Sequence, residues 1–119
     1  MKRNTKLALA VVVVLIFVLL KTFAPDRATW YGPAHRGKLM ADGRRFNPDA
    51  LTAASWDYPL GSKLKILHGG KSVMVEVTDR GGVRRFFQLG KTIDLSRAAF
   101  AQLAKLEAGS ISVRIERVK

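Results

Sequence analysis

Apolar and polar residues alternate along much of the chain after residue 28, and this pattern predicts a domain built mainly from β-strands. The alternation is clearest at 73–78, where three valines fall on one face and more polar side chains on the other, as in a half-buried strand. Further short strands are predicted at 28–31, 51–54, 63–67, 92–95 and 111–115. An open sheet of this size would leave exposed edges, so six short strands favour a small closed β-barrel.

Turns and helical segments separate the predicted strands. The glycine pair at 69–70 is typical of a two-residue hairpin turn. Residues 35–48 and 81–91 are rich in breaks and charges, which indicates surface loops. Residues 96–106 carry apolar side chains at helical spacing, so one short helix is expected before the last strand.

The beginning of the chain has a different pattern, an unbroken apolar run at 7–20 with basic residues on both sides. A run of about 14 residues is short for crossing a bilayer and typical of a secretory signal. Residues 22–24 offer a cleavage site, whereas Pro25 directly after them disfavours cleavage. The sequence therefore predicts that residues 1–24 are a signal peptide or a membrane anchor, and that 25–119 form one exported domain.

Charge and composition restrict the classes of partner that the domain is expected to bind. The net charge is +12, and without the four basic residues that flank the apolar run, 17 basic residues against nine acids leave +8. Such a domain prefers an acidic partner such as a wall polymer, anionic lipid or nucleic acid. Export argues against nucleic acid. With no cysteine and only His35 and His68 as histidines, neither a metal site nor a cofactor is expected.

Two aspartates stand at strand ends on either side of the 81–91 loop. Asp79 ends the 73–78 strand and precedes glycines, an arrangement that presents a reactive carboxylate to a groove or forms a turn. Asp94 lies just before the predicted helix, where it or Ser96 is expected to cap the helix.

Several short motifs resemble one known family, that of the rare lipoprotein A (RlpA)-like proteins. The motifs occur in the order and spacing of that family and cover nearly the whole chain after Ala28. They are Trp30-Tyr31-Gly32, Leu51-Thr52-Ala53-Ala54, Pro59-Leu60-Gly61, Asp79-Arg80-Gly81 and Ile93-Asp94-Leu95-Ser96-Arg97-Ala98-Ala99. The resemblance implies a six-stranded double-psi β-barrel with one or two short helices, a fold shared with expansins.

The resemblance also implies an activity in the bacterial envelope or periplasm. Members of the family cut peptidoglycan strands endolytically, prefer strands without stem peptides, and leave a 1,6-anhydro sugar. One carboxyl group is enough for this lytic transglycosylase reaction, because it protonates the glycosidic oxygen and then takes the proton of the C6 hydroxyl. Asp79 matches the family's aspartate and is the expected acid and base, with Asp94 as a possible second acid. The protein is expected to act as a monomer.

The groove implied by the resemblance departs from the family at three polar positions. Its expected lining is Trp30, Tyr31, Arg44, Phe46, Asn47, Ser55 and Arg80. Arg44 stands where relatives have glutamate, Asn47 where they have aspartate, and Ser55 where they have histidine. A cation beside Asp79 would weaken its use as an acid.

The aromatic residues have two possible roles, because each either stacks on sugar rings or fills the core. Trp30 and Tyr31 are expected to divide between those roles, and at least one of Trp56 and Tyr58 to line the groove. The main prediction is a transglycosylase. The alternative is a non-catalytic, expansin-like barrel that binds peptidoglycan.

Overall fold

The computed structural model describes residues 2–23, 25–89 and 92–119, and it shows a closed barrel. The helices are α1 (Lys2–Phe23), α2 (Arg84–Leu89) and α3 (Arg97–Ala101), with single 3-10 turns at Pro33–His35 and Leu106–Ala108. The strands are β1 (Asp26–Tyr31), β2 (Thr52–Ala54), β3 (Lys63–His68), β4 (Lys71–Asp79), β5 (Thr92–Ser96) and β6 (Ser110–Arg117). Each predicted strand is confirmed within a few residues.

The barrel closes in the order β1-β5-β2-β4-β3-β6. The pairs β1–β5 and β2–β4 are parallel, and the remaining neighbours are antiparallel. The hairpin between β3 and β4 pairs His68 with Lys71 across the predicted glycine turn. Closure pairs both edges of the sheet, which leaves no open edge to associate with another chain.

The core is formed by the inward face of each alternating strand. Val73, Val75 and Val77 are buried as predicted, and Phe100 of α3 closes one side with no exposed surface. Thr78 was assigned by alternation to the polar outer face, but it is fully buried. The reason is that the 35–48 loop covers the end of β4, where the Thr78 hydroxyl lies 3.2 Å from Met40 Sδ.

Two helical predictions need correction. The 81–91 segment is not all loop, because α2 occupies 84–89; residues 90 and 91 lie outside the described part of the chain. The helix predicted at 96–106 ends at Ala101 and is followed by a separate 3-10 turn. Both conformations place Leu103 in the core, so the apolar spacing alone did not distinguish them.

Helix α1 carries the apolar run, and its side chains from Leu7 to Leu19 are exposed. Among the helices that the structure describes, none combines the length and apolarity that crossing a bilayer requires. Ala24, the last residue of the predicted cleavage site, lies outside the described residues. The division into residues 1–24 and 25–119 stays a prediction.

Candidate active site

A cleft of about 460 Å³ opens where β1, β2 and β4 end. On its floor, Ala54 of β2 is paired with Asp79 on one side and with Asp94 on the other. The backbones of the two aspartates are therefore separated by two strand spacings, about 10 Å. Alanine between them leaves space above the floor, so both carboxyl groups face one ligand-sized volume.

Asp94 is half-buried on the floor of the cleft. Its Oδ1 accepts a hydrogen bond from Thr29 Oγ1 at 3.0 Å. Burial raises the pKa of Asp94 to about 6, the charge of Asp79 adds to the increase, and the Thr29 hydrogen bond opposes it. A substantial fraction of Asp94 is therefore protonated in mildly acidic solution, which is the state required of a general acid.

The capping role expected for Asp94 belongs to Ser96. Ser96 Oγ accepts the backbone N–H of Ala99 at 3.2 Å and caps α3. Asp94 lies between the buried residues Ile93 and Leu95, so alternation along β5 turns its side chain to the opposite face. That face is the cleft.

Asp79 is fixed by backbone donors from two segments. Its Oδ1 accepts the N–H of Arg80 at 2.8 Å and the N–H of Ala41 at 3.1 Å. The first contact is the local turn interaction that sequence reasoning offered as the alternative to a functional role. The second ties the 35–48 loop to the barrel. Asp79 thus orders the cleft and exposes its carboxyl group there at the same time.

Tyr31 and Phe46 form the aromatic wall of the cleft. Their rings stack with centroids 4.3 Å apart, and His35 meets the Tyr31 ring edge-on at 5.7 Å. Burial raises the pKa of the Tyr31 hydroxyl well above its ordinary value, and the charges of Asp79 and Asp94 raise it further. The nearby Thr52 hydroxyl opposes this shift without reaching the geometry of a hydrogen bond.

Trp30 does not line the cleft. Its ring packs on the core 6.4 Å from that of Phe100, and its Nε1 donates to the Leu106 carbonyl at 3.0 Å. The Trp30–Tyr31 pair is therefore divided between core and cleft, and Trp30, which was predicted in the groove, is not among the residues that line the cleft. Neighbouring strand positions face opposite sides of a sheet, which is why only one of the two can reach the cleft.

Arg44 also lies outside the cleft. Its guanidinium group forms ion pairs with Asp42 at 2.7 Å and Glu76 at 2.6 Å, and more than half of the side chain is exposed. These two acids hold the cation on the outer surface of β4. The charge reversal at this position is therefore compensated locally, and Arg44 is not among the residues that line the cleft with Asp79.

Asn47 and Ser55 stabilise turns instead of lining the cleft. Asn47 Oδ1 accepts the N–H of Asp49 at 3.0 Å. Ser55 is buried, and its Oγ accepts the N–H of Asp57 at 3.1 Å. Both side chains are of the type that forms such local turns, and neither is among the residues that line the cleft.

Arg80 and Trp56 form hydrogen bonds to backbone carbonyls behind the rim of the cleft. Arg80 Nη1 donates to the carbonyls of Ser55 and Tyr58 at 2.9 and 2.7 Å, and its guanidinium lies 5.8 Å from the Trp56 ring centre. Trp56 Nε1 donates to the carbonyl of Gly82 at 3.0 Å, and Gly82 lines the cleft. The prediction that Arg80, and either Trp56 or Tyr58, would line the groove is wrong.

Apart from Phe46, sequence reasoning missed the contribution of the 35–48 loop to the lining of the cleft. His35, at the start of this predicted surface loop, lines the cleft with Lys38, Leu39 and Met40. The loop folds over the strand ends because Gly37 N–H donates to the Phe46 carbonyl at 2.9 Å and an isolated bridge joins its two arms. Contacts of this kind leave no periodic signal in a sequence.

No group of three or more metal-ligating side chains occurs within residues 2–23, 25–89 and 92–119. The ionisable side chains that line the cleft are those of Asp79, Asp94, Tyr31, His35 and Lys38.

The closed six-stranded barrel with paired carboxylates at one cleft defines a small double-psi β-barrel domain. Residues 25–115 match the family model described as lytic transglycolase, and the chain belongs to this family. The resemblance to RlpA-like proteins is thereby confirmed.

Similar proteins support this membership. The endolytic peptidoglycan transglycosylases RlpA of Campylobacter jejuni and Vibrio cholerae are each 38% identical, over 75% and 76% of this chain. The chain spans about a third of the length of these curated relatives, 32% and 34%. An expansin from Clavibacter michiganensis has a TM-score of 0.62 and 25% identity, over 81% of this chain and 50% of its own.

Proposed function

We propose that this domain is a lytic transglycosylase that cuts the glycan strands of peptidoglycan without consuming water. Membership of the lytic transglycolase family supports the reaction, and the names of the RlpA relatives support the substrate. The observation that carries the proposal is the pair Asp79 and Asp94 on the floor of one cleft, one of them with a pKa raised to about 6.

In this proposal Asp94 carries the proton. Protonated Asp94 donates to the glycosidic oxygen, and the bond from that oxygen to C1 of the muramyl ring breaks with its electron pair on the oxygen. The C6 hydroxyl oxygen then bonds to C1 and gives its proton to the Asp94 carboxylate, which regenerates the acid. The products are a free 4-hydroxyl and a 1,6-anhydro ring.

Asp79 has the second role. Sequence reasoning placed both proton transfers on Asp79, but Asp79 accepts two backbone N–H groups and Asp94 accepts only a hydroxyl. Oriented in this way, the Asp79 carboxylate is suited to stabilising positive charge that develops at C1 in the transition state. The Tyr31–Phe46 wall supplies an apolar surface for the sugar ring.

Two substitutions test this division of roles. Asp94→Asn removes the proton donor and should abolish release of anhydromuropeptides from sacculi, a loss of at least about a hundredfold. Asp79→Asn should lower kcat and leave measurable turnover. Asp57→Asn, an exposed aspartate outside the cleft, serves as the control and should match the unmodified protein. Full activity of Asp94→Asn would remove that residue from the mechanism.

A non-catalytic, peptidoglycan-binding barrel is the second candidate, and the structural likeness to an expansin favours it. This candidate predicts that the protein sediments with sacculi and releases no soluble fragment. Recovery of anhydro products that disappear with Asp94→Asn would decide for the transglycosylase.

We also propose that the domain works in the cell envelope after export, directed by the apolar segment within residues 1–24. The basic flanks of that segment and the peptidoglycan named for the relatives support this location. Mass spectrometry of the protein from fractionated cells tests it: a mature chain starting near residue 25 indicates a signal peptide, and an intact chain in the membrane fraction indicates an anchor. Recovery from the cytoplasm would contradict export.

A further inference from the structure

A segment outside the cleft, on and beside α2, exposes three large apolar side chains. Val83, Phe86 and Leu89 are exposed by 61%, 69% and 54%. Phe86 and Leu89 are three residues apart in α2 and are therefore neighbours on its surface, and Val83 directly precedes the helix. Single exposed apolar side chains are normal on a protein, whereas a cluster of them indicates a surface that contacts something other than water.

The same segment carries positive charge that no acid compensates. Residues 80–91 include four basic residues and no acidic one. Arg84 and Arg85 of α2 are exposed, and within residues 2–23, 25–89 and 92–119 neither forms an ion pair. The Arg84 guanidinium lies 5.5 Å from the centre of the Trp56 ring, a contact that keeps its charge. Two cations therefore border the exposed apolar side chains.

This surface extends towards the end of the barrel at which residues 1–24 are attached. Thr92, the first residue of β5, pairs with Arg27 near the start of β1. Leu89 precedes Thr92 by three residues, which span at most about 11 Å. Helix α1 ends at Phe23 and β1 begins at Asp26. The end of α2 is therefore close to the point where the apolar N-terminal segment joins the domain.

Two acidic partners outside the cell could neutralise the arginines, a wall polymer and a membrane. A hydrophilic polymer would leave the three apolar side chains in water. A bilayer with anionic lipid suits both parts of the surface, because its phosphates accept hydrogen bonds from guanidinium groups and its acyl boundary takes up apolar side chains. In the proposed export, the apolar run within residues 1–24 also brings the domain to a membrane.

We propose that the α2 surface, formed by Val83, Arg84, Arg85, Phe86 and Leu89, binds the face of a membrane that contains anionic phospholipid. This contact is separate from any anchoring by residues 1–24, and it involves none of the residues that line the cleft. The arginines bind the lipid phosphates, and the apolar side chains enter the headgroup region. Bound in this way, the barrel lies with its α2 side on the bilayer.

A fluorescent reporter on α2 of the full-length protein tests the assignment. The chain has no cysteine, so Gln88→Cys accepts a single environment-sensitive dye next to the arginines, with which Gln88 lines a shallow depression. The labelled protein is reconstituted in vesicles of phosphatidylcholine alone, or of phosphatidylcholine and phosphatidylglycerol in equal parts. The emission should shift to shorter wavelength, and brominated acyl chains should quench it, only in the anionic vesicles.

A dye at Met74→Cys is the positional control. Met74 is exposed on β4 and pairs with Lys65 of β3, and β3 lies opposite β5 in the six-strand ring. Its emission should stay that of a dye in water in both kinds of vesicle. Because each dye reports only its own surroundings, the comparison does not depend on how residues 1–24 attach to the vesicle.

Two double variants of the Gln88-labelled chain test the two parts of the surface. Arg84→Gln with Arg85→Gln, and Phe86→Ser with Leu89→Ser, should each abolish the shift and the quenching. Lys65→Gln with Lys71→Gln removes the same charge from β3 and its hairpin and should keep both signals.

Three results would overturn the proposal: the Gln88 dye stays in water in anionic vesicles, it responds equally in both kinds of vesicle, or it still responds without both arginines. A response to soluble sacculus fragments but not to vesicles would also overturn it and would assign the surface to a wall polymer. None of these readouts requires glycan cleavage, so the membrane contact and the transglycosylase reaction are tested independently.

Discussion

At the scale of single residues, the proposed reaction depends on one unfavourable placement, that of the Asp94 carboxyl group. Asp94 is largely removed from water, and the only hydrogen bond it accepts among the described residues is from Thr29. A carboxyl group in such a place is expensive to ionise. The same burial makes it a usable acid, so function at this residue is expected to cost stability.

The raised pKa of Asp94 predicts the direction in which stability changes with pH. The pKa of Asp94 is about 6 in the folded protein against 3.8 for the free group, so between these values the folded state binds more protons than the unfolded state. The contribution of Asp94 to the free energy of unfolding should therefore fall as pH rises from about 4 to 7. The Asp94→Asn variant has no carboxyl group to ionise and should not lose this stability. In thermal unfolding at pH 7.5 the variant should be about 1–3 kcal/mol more stable than the unmodified protein. The two proteins should be about equally stable at pH 4, and a destabilised variant at pH 7.5 would contradict the buried acid.

Thr29 offers a second test of the same group. Its hydroxyl stabilises the charged form of Asp94, so Thr29→Val should raise the pKa of Asp94 and move the alkaline limb of the rate profile to higher pH. Thr29→Ser keeps a hydroxyl and should leave the limb in place. Profiles of kcat/KM against pH measure the shift, and a limb that moves to lower pH would rule out Asp94 as the group that titrates.

At the scale of elements, alternation was enough to locate all six strands, because each strand has one buried face. The same reasoning could not find α2. This helix has only six residues, and all of its described side chains are exposed, so it has no buried face. Alternation also could not predict where the side chains of Arg44, Ser55 and Lys38 lie. Their positions depend on which segments meet across the barrel, and this is set by pairings such as Ala54 with Asp79 and Asp94.

The contacts of Trp56 with Arg80 and Gly82 behind the cleft rim give a prediction at the scale of elements. Trp56→Phe keeps an aromatic ring against Arg80 but removes the hydrogen bond to the Gly82 carbonyl. The unfolding free energy should fall by about 1 kcal/mol, and KM should rise severalfold because Gly82 lines the cleft. Tyr58→Phe, at a neighbouring ring, is the control and should change neither value strongly. An unchanged KM in Trp56→Phe would show that the hydrogen bond of Trp56 to Gly82 stabilises the fold without affecting the cleft.

At the scale of the whole molecule, a small barrel concentrates its chemistry at one end. The crossing order of the strands places β2 between Asp79 and Asp94, although their strands, β4 and β5, follow each other in the sequence. The sequence predicted the barrel and singled out both acids, but it left the helix cap open between Asp94 and Ser96, and it assigned to the groove several polar residues that do not line the cleft. Turn-forming side chains and cleft-lining side chains are of the same types, so composition does not separate them.

The central claim is that glycan strands are cut by the sugar's own hydroxyl and not by water. The most direct test is digestion of sacculi by the purified protein, with mass spectrometry of the newly formed ends. The account predicts 1,6-anhydro ends that disappear with Asp94→Asn. New muramyl reducing ends in place of anhydro ends would contradict it, because such ends form when water attacks C1.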